Sequence, residues 1–204
     1  MTEPMKKPRT KPAKERLDDL MNAAEHLFLT KGFLETTVSE IVSQADVAKG
    51  TFYHYFKSKD EILEALRERY MTWYLGKIDD ALKEKVGSQA MLSQWCESSV
   101  QYYVEKRRIH DMLFHESFHT CSNVHEQRAI SQVKKILLHG KAQGVWSAEP
   151  IGLVSSMLYH SMHAAVDELA SSLEYDENTL GAILYQKLLG FSSITPYLNT
   201  LLSF

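Results

Sequence analysis

The sequence lacks the patterns that would build a sheet. Across 204 residues there is no Asn-Gly hairpin dipeptide and no sustained apolar/polar alternation, the two signals of tight hairpins and half-buried strands. No apolar run approaches the ~20 residues that a bilayer crossing needs. The opening MTEPMKKPRTKPAKER lacks the apolar core of a secretory signal. These absences argue against a helical membrane protein and predict a cytoplasmic chain. Cysteine is scarce: only Cys96 and Cys121 occur, with no C-x-x-C spacing. That argues against a disulfide framework and a cysteine-rich zinc site, so both are expected as reduced, partly buried thiols.

What is present is the composition of a globular protein, 44% hydrophobic and 24% charged, in a chain long enough for an ordinary domain and a small one. The net charge of −3 conceals an uneven distribution, because residues 1–17 carry Lys6, Lys7, Arg9, Lys11, Lys14 and Arg16 against Glu3 and Glu15. A basic, proline-punctuated arm of this kind orders poorly alone and is drawn to polyanions.

Helical periodicity fills the rest. From Ala13, the residues Leu17, Leu20, Met21, Ala24, Leu27 and Phe28 recur at steps of three and four and line one helix face, with Gly32 as its stop. Thr37 and Glu40 form a capping box for a short second helix, which Ala45 and Asp46 interrupt. Residues 48–55, AKGTFYHY, predict a third segment, and Ser58 with Glu61 a second box opening a long helix over 58–84. Further helices are expected over 89–106, 109–119, 124–143 with Gly144 as stop, 150–169 opening at Pro150, and 177–194 ahead of Pro196. The predicted fold class is all-α.

Three short helices, the last two joined by a tight turn, have the geometry of a helix-turn-helix reader of DNA. The segment TTVSEIVSQADVAKGTFYHYFKSKDEIL resembles the signature of the TetR/AcrR family of bacterial transcriptional regulators. The likeness lies in the capped second helix, the small-residue turn, the K-G-T-F-Y-x-x-F run and the K-x-K leading into the fourth helix. It covers about 50 N-terminal residues closely and the remaining helical layout loosely. The resemblance implies a ligand-responsive DNA-binding regulator, most simply a repressor released from a palindromic operator by a small-molecule effector; an activator stays open.

The implied DNA contacts are specific. Lys49 and Thr51 would reach base edges in the major groove, with Gly50 allowing close backbone approach. Tyr53, His54 and Lys59 would clamp phosphates, as would Thr37 at the start of the second helix. Phe52 and Phe56 read as core against Leu27, Phe28 and Ile41. One departure is Ala48, where the family often has serine, which leaves the cap to Asp46 or to no residue at all. The implied domains are a basic arm over 1–12, contacting phosphates or the minor groove, a helix-turn-helix domain over 13–57, and an effector-binding and dimerisation domain over 58–204.

In that body the family binds its effector between helices and dimerises through the last two long ones. Here those offer Ile151, Val154, Leu158, Ala165 and Leu169, then Leu180, Leu184, Leu188 and Phe191, faces suited to a two-fold interface. Candidate pocket residues are Trp95, Tyr102, Tyr103, Phe114 and Phe118 from the earlier helices, and Tyr159, Met162 and His163 from a later one. The partners implied are double-stranded operator DNA, a small-molecule effector and a second copy of the chain, with no membrane, cofactor or enzymatic activity.

One motif competes with this reading. HESFHTCSNVH, residues 115–125, is an H-E-x-x-H zinc-hydrolase pattern, extended to a third histidine but with Ser122 where the longer signature has glycine. Zinc hydrolysis would make Glu116 the base, yet such a site sits beside a sheet that this chain does not predict. A second reading makes His115 and His119 a transition-metal effector site, with Glu116, Cys121, His125, His160 or His163 as further ligands. The third leaves them as polar residues of a helix surface or pocket wall.

Overall fold

The computed structural model describes residues 12–115, 124–147, 150–171 and 179–186; the basic arm as far as residue 11 lies outside them, as do Glu116, Phe118, His119 and Cys121. Every regular element among the described residues is helical. In order they are α1 (Ala13–Lys31), α2 (Val38–Gln44), α3 (Lys49–Tyr55), α4 (Lys59–Leu82), α5 (Ser88–Glu105), α6 (Arg107–Phe114), α7 (Val124–Ala142) and α8 (Ile151–Ser171). Residues 179–186 are helical as well. None of these helices is long and apolar enough to cross a membrane. The chain divides into two compact units, one from Met1–Glu68 with Arg108–His119 and the other from Arg69–Arg107 with Thr120–Phe204.

The first unit is built on the α1 stripe. Leu20, Met21, Ala23, Ala24 and Phe28 are buried along it, and Ile41 of α2 and Phe52 of α3 are fully buried in the same unit. The α1 helix ends at Gly32, whose φ of 90° lies in a region costly for any residue with a Cβ. Its backbone N–H still returns to the Phe28 carbonyl at 3.1 Å.

The predicted Thr37–Glu40 capping box is present in both halves. The Thr37 hydroxyl accepts from the Glu40 N–H at 3.3 Å, and the Thr37 N–H donates to Glu40 Oε2 at 2.8 Å. The α3 helix, by contrast, starts at Ala48 with no side-chain cap. Asp46 spends its backbone on the turn, at φ 52°. At the mouth of α4 the Ser58 hydroxyl accepts from the Glu61 N–H, as a cap should, but Glu61 reaches back to the N–H of Lys57. The buried Arg67 of α4 donates through Nε to the Leu113 carbonyl at 2.9 Å, and its guanidinium lies 5.9 Å from the Phe114 ring centroid. One cation thereby ties α6 to the start of α4.

The second unit packs α5 and α8 against α7. Its hub is Gln132, which accepts from the buried Trp95 Nε1 at 3.2 Å. The Gln132 amide nitrogen donates to the Leu75 carbonyl at 3.1 Å and to Asp79 Oδ1 at 2.7 Å. The end of α7 is closed by Trp146, whose indole N–H donates to the Leu137 carbonyl at 2.8 Å. That ring lies against Gly140, where a Cβ would fall 2.1 Å from an indole carbon. No side chain larger than hydrogen fits there without displacing the indole.

Candidate nucleic-acid interface

The seven residues of α3 divide cleanly by face. Phe52 is fully buried, and Phe56, just after the helix, is buried beside it with the ring centroids 5.7 Å apart. Lys49, Gly50, Tyr53 and His54 are exposed, and Thr51 is half-buried. Tyr53 is 52% exposed, its ring standing edge-on to Phe52 at 5.4 Å. The outward face therefore presents an ammonium, a hydroxyl, a phenol and an imidazole with no acidic side chain anywhere on the helix. Such donors suit phosphate oxygens and the N7 and O6 acceptors of purine edges. Around Gly50 a Cβ would meet nothing within 4 Å, so the backbone there is open to close approach.

The seating of α3 depends on a residue that the sequence reading did not place. Tyr55 Oη donates to the Ala13 carbonyl at 2.9 Å, fastening the end of α3 to the beginning of α1. The run T-F-Y-H-Y carries no signal that separates its two tyrosines; only the fold sets the second on the half-buried flank.

The two candidates outside α3 sit in bonded networks. The Thr37 hydroxyl also donates to Glu40 Oε2 at 2.8 Å, and Lys31 Nζ donates to Glu40 Oε1 at 2.5 Å. The Lys31 bond first, and then that from the Thr37 backbone, hold the Glu40 carboxyl down at about 2 against its ordinary 4.5. Thr37 stays exposed. Lys59 is expected to clamp a phosphate, but its ammonium donates to the carbonyls of Phe33, Leu34 and Thr36 at 2.5, 3.1 and 2.7 Å. It also lies 4.4 Å from the Phe33 ring centroid. All three of its donors are used within the protein, and partial desolvation lowers its pKa. A phosphate would have to compete with those carbonyls.

The candidate effector residues separate into groups. Tyr103, Tyr159 and His163 come together, with ring centroids 5.1 Å apart for Tyr103–His163 and 4.6 Å for Tyr159–His163. Burial and the charge of Glu126 push the Tyr159 phenol up. Met162 is fully buried. Trp95 is committed to Gln132, Tyr102 packs edge-on to Trp73 at 6.1 Å, and Phe114 belongs to the first unit beside His110. Phe118 lies outside the described residues. Tyr74, which the sequence reading missed, is buried and donates to the Ser99 carbonyl at 3.2 Å, and burial pushes its hydroxyl far up. Beside that bond the Ser99 hydroxyl is buried with no hydrogen-bond partner among the described residues. The spacing of Tyr70 and Tyr74, one helical turn apart, was the available signal.

Of the metal candidates, His115 is exposed at the end of a described stretch, its ring centroid 5.2 Å from that of His110. His119, Glu116 and Cys121 lie outside the described residues, while His125 is buried at the start of α7. His160 is engaged within the second unit, its Nε2 lying 3.4 Å from Glu126 and its Nδ1 2.7 Å from the Ser156 carbonyl. Cys96 is fully buried, and its thiol is pushed up to about 12 by that burial, the opposite of a reactive thiolate.

Comparison with known proteins agrees with this geometry. The family model for bacterial regulatory proteins of the tetR family matches residues 20–66. The chain is 33% identical over 73 residues to the HTH-type transcriptional repressor KstR2 of Mycolicibacterium smegmatis, covering 36% of this chain and 35% of that protein. It is 33% identical over 89 residues to the HTH-type transcriptional repressor NemR of Escherichia coli K12, covering 39% and 45%. The aligned stretch thus spans less than half of either relative. Among solved structures, the transcriptional regulator FadR of Bacillus subtilis in complex with stearoyl-CoA superposes with a TM-score of 0.72 at 21% identity. That superposition covers 84% of this chain and 96% of FadR, a likeness of fold.

Proposed function

We propose, from the premise that this chain belongs to the TetR/AcrR family of bacterial transcriptional regulators, that it is a homodimeric repressor released from its operator by a small-molecule effector. The observation that carries the reading is the outward face of α3, an acid-free row of donors held on a fully buried phenylalanine. Lys49 and Thr51 read base edges, Gly50 admits the backbone, and Tyr53 and His54 hold phosphates on either side of the groove. Thr37 holds a phosphate from the N-terminus of α2. Lys59 sets the junction of α1, α2 and α4, and meets a phosphate only by releasing a carbonyl. The basic arm adds contacts outside the groove.

Two copies are needed because one seven-residue helix reads only a few base pairs, and a two-fold dimer spans two half-sites about 34 Å apart. The α8 helix supplies a face for it. Leu153 and Met157 are 57% and 53% exposed, and Gly152 and Ala164 are exposed small residues on the same helix. An apolar stripe left uncovered on one chain is what an isologous contact buries.

The effector site rests on Tyr103, Tyr159 and His163 with the buried Ser99 hydroxyl, an apolar surround with a few polar atoms that suits an aromatic or lipophilic molecule. An effector that binds the DNA-free conformation better weakens DNA binding by the same factor that DNA weakens effector binding. No catalytic role is assigned to any residue. The test is fluorescence anisotropy of the purified full chain on labelled DNA from upstream of its own gene, titrated with salt. Nanomolar binding with steep salt dependence supports the reading, and binding no tighter than to unrelated DNA sinks it.

A further inference from the structure

On the second unit, away from the aromatic group just described, α4, the start of α5 and α7 enclose a groove of about 670 Å³. Its floor is apolar, with Leu82 and Ile136 buried along it and Met91 half-buried at one side. Its rim is basic, with Lys83 and Lys85 following α4 and Arg128 and Lys135 projecting from α7. Against these four cations Asp79 is the one acidic lining residue, and its Oδ1 already accepts from Gln132 at 2.7 Å. Lys83 is shared with Asp80 at 2.6 Å. The lining is therefore strongly positive in a chain whose net charge is −3.

We infer that this groove is a binding site for an anionic amphipath, a hydrocarbon chain ending in a carboxylate or phosphate head. Both halves of the ligand are answered by the lining. The volume falls in the range of small-molecule sites, and a methionine wall adapts to flexible alkyl chains. Lysine and arginine stems extend the apolar floor while their charged ends stay at the water boundary. A concave, low-dielectric surface with charge of one sign concentrates the opposite charge. A neutral lipophile would make no use of the basic rim, and a bare anion would leave the floor wet. The groove is also pre-organised, because the Gln132 amide holds Leu75 and Asp79 of its wall and is itself anchored by the buried Trp95 behind it.

The test uses the full chain without DNA, so that it stands or falls apart from the repressor reading. Calorimetric titrations with dodecanoate, dodecyl phosphate and dodecanol compare one tail with three heads, and inorganic phosphate supplies a head with no tail. Saturable binding of dodecanoate or dodecyl phosphate is expected, about tenfold or more tighter than dodecanol and weakened in about 0.5 M salt. The stronger of the two identifies the head, carboxylate or phosphate. The double variant Arg128→Gln/Lys135→Gln, on the exterior of α7, is expected to lose about tenfold or more for the anions while leaving dodecanol unchanged. Equal affinity for dodecanol and dodecanoate, an unaffected double variant, or no saturable binding each overturns the assignment. So does loss of anion binding in Tyr159→Ala alone, which would move the ligand to the aromatic group.

Discussion

Replacing Tyr53 by phenylalanine removes one oxygen atom from the reading face and nothing from the core. The ring stands 52% exposed with its edge on Phe52, and phenylalanine keeps that contact, so the unfolding free energy of the free protein should stay within about 0.5 kcal/mol of wild type. If each phenol donates one hydrogen bond to a phosphate, its loss costs about 1 kcal/mol. A two-fold dimer loses two such bonds, or about 2 kcal/mol, equivalent to roughly thirtyfold in Kd. Because the hydroxyl is neutral, no counterion is involved and the slope of log K against log salt should not change. The loss should also be the same on operator and on unrelated DNA, since a phosphate carries no sequence. Anisotropy titrations on both DNAs at several salt concentrations, with urea unfolding alongside, read all four quantities. A Kd within twofold of wild type would refute the phosphate assignment, and a weakening that tracks a lowered urea midpoint would show that Tyr53 acts through folding.

Lys49→Ala should instead weaken operator binding more than unrelated DNA and relax preference at one base position, read by competition against single-base operator variants; equal loss on both DNAs would make Lys49 a phosphate contact. Glu40, held at about 2 against 4.5, has a depressed pKa, so its stabilisation of α2 is complete above about pH 4.5 and drains as pH falls toward about 2. The urea midpoints of wild type and Glu40→Gln should therefore converge across that window, and parallel curves would mean that the Lys31 and Thr37 bonds do not matter in solution. The double variant Leu153→Glu/Met157→Glu places charge on the exposed stripe of α8 and should give a monomer by light scattering that binds operator more than about tenfold more weakly; an unchanged dimer would move the interface elsewhere.

The residues that the sequence placed correctly are those whose job is local. The α1 stripe is read from spacing alone, because burying Leu20, Ala24 and Phe28 on one face requires only the helix period. The capping box of Thr37 and Glu40 spans three residues, so nothing distant has to be known. Asp46 failed as the cap for α3 because the same residue has to make the turn, and a left-handed backbone at φ 52° is the constraint that prevailed. Trp95, a reasonable pocket candidate by type, is taken by a glutamine 37 positions away. The basic groove is assembled from chain segments 75–91 and 128–136, and no pattern within either segment announces the other.

Lys59 and Tyr55 make the same point about polar residues near a reading helix. A lysine at the mouth of a helix beside DNA is expected to meet phosphate oxygens, yet a backbone carbonyl offers the same acceptor chemistry to the same donor. Three carbonyls of the segment Phe33 to Thr36 claim Lys59 in the free chain. Of the neighbouring tyrosines, Tyr53 points outward and Tyr55 ties back to the Ala13 carbonyl, although a run of T-F-Y-H-Y offers both phenols alike. Which donors stay free for DNA is decided by which of them a nearby carbonyl claims, Ala13 in the first turn of α1 for one and the loop between α1 and α2 for the other. The loop between α1 and α2 offers its carbonyls to a side-chain donor, and a DNA reader needs donors on the surface next to it. The outward face of α3 can therefore be assigned to DNA only after the bonds that Tyr55 makes to Ala13 and Lys59 makes to the α1–α2 loop are accounted for.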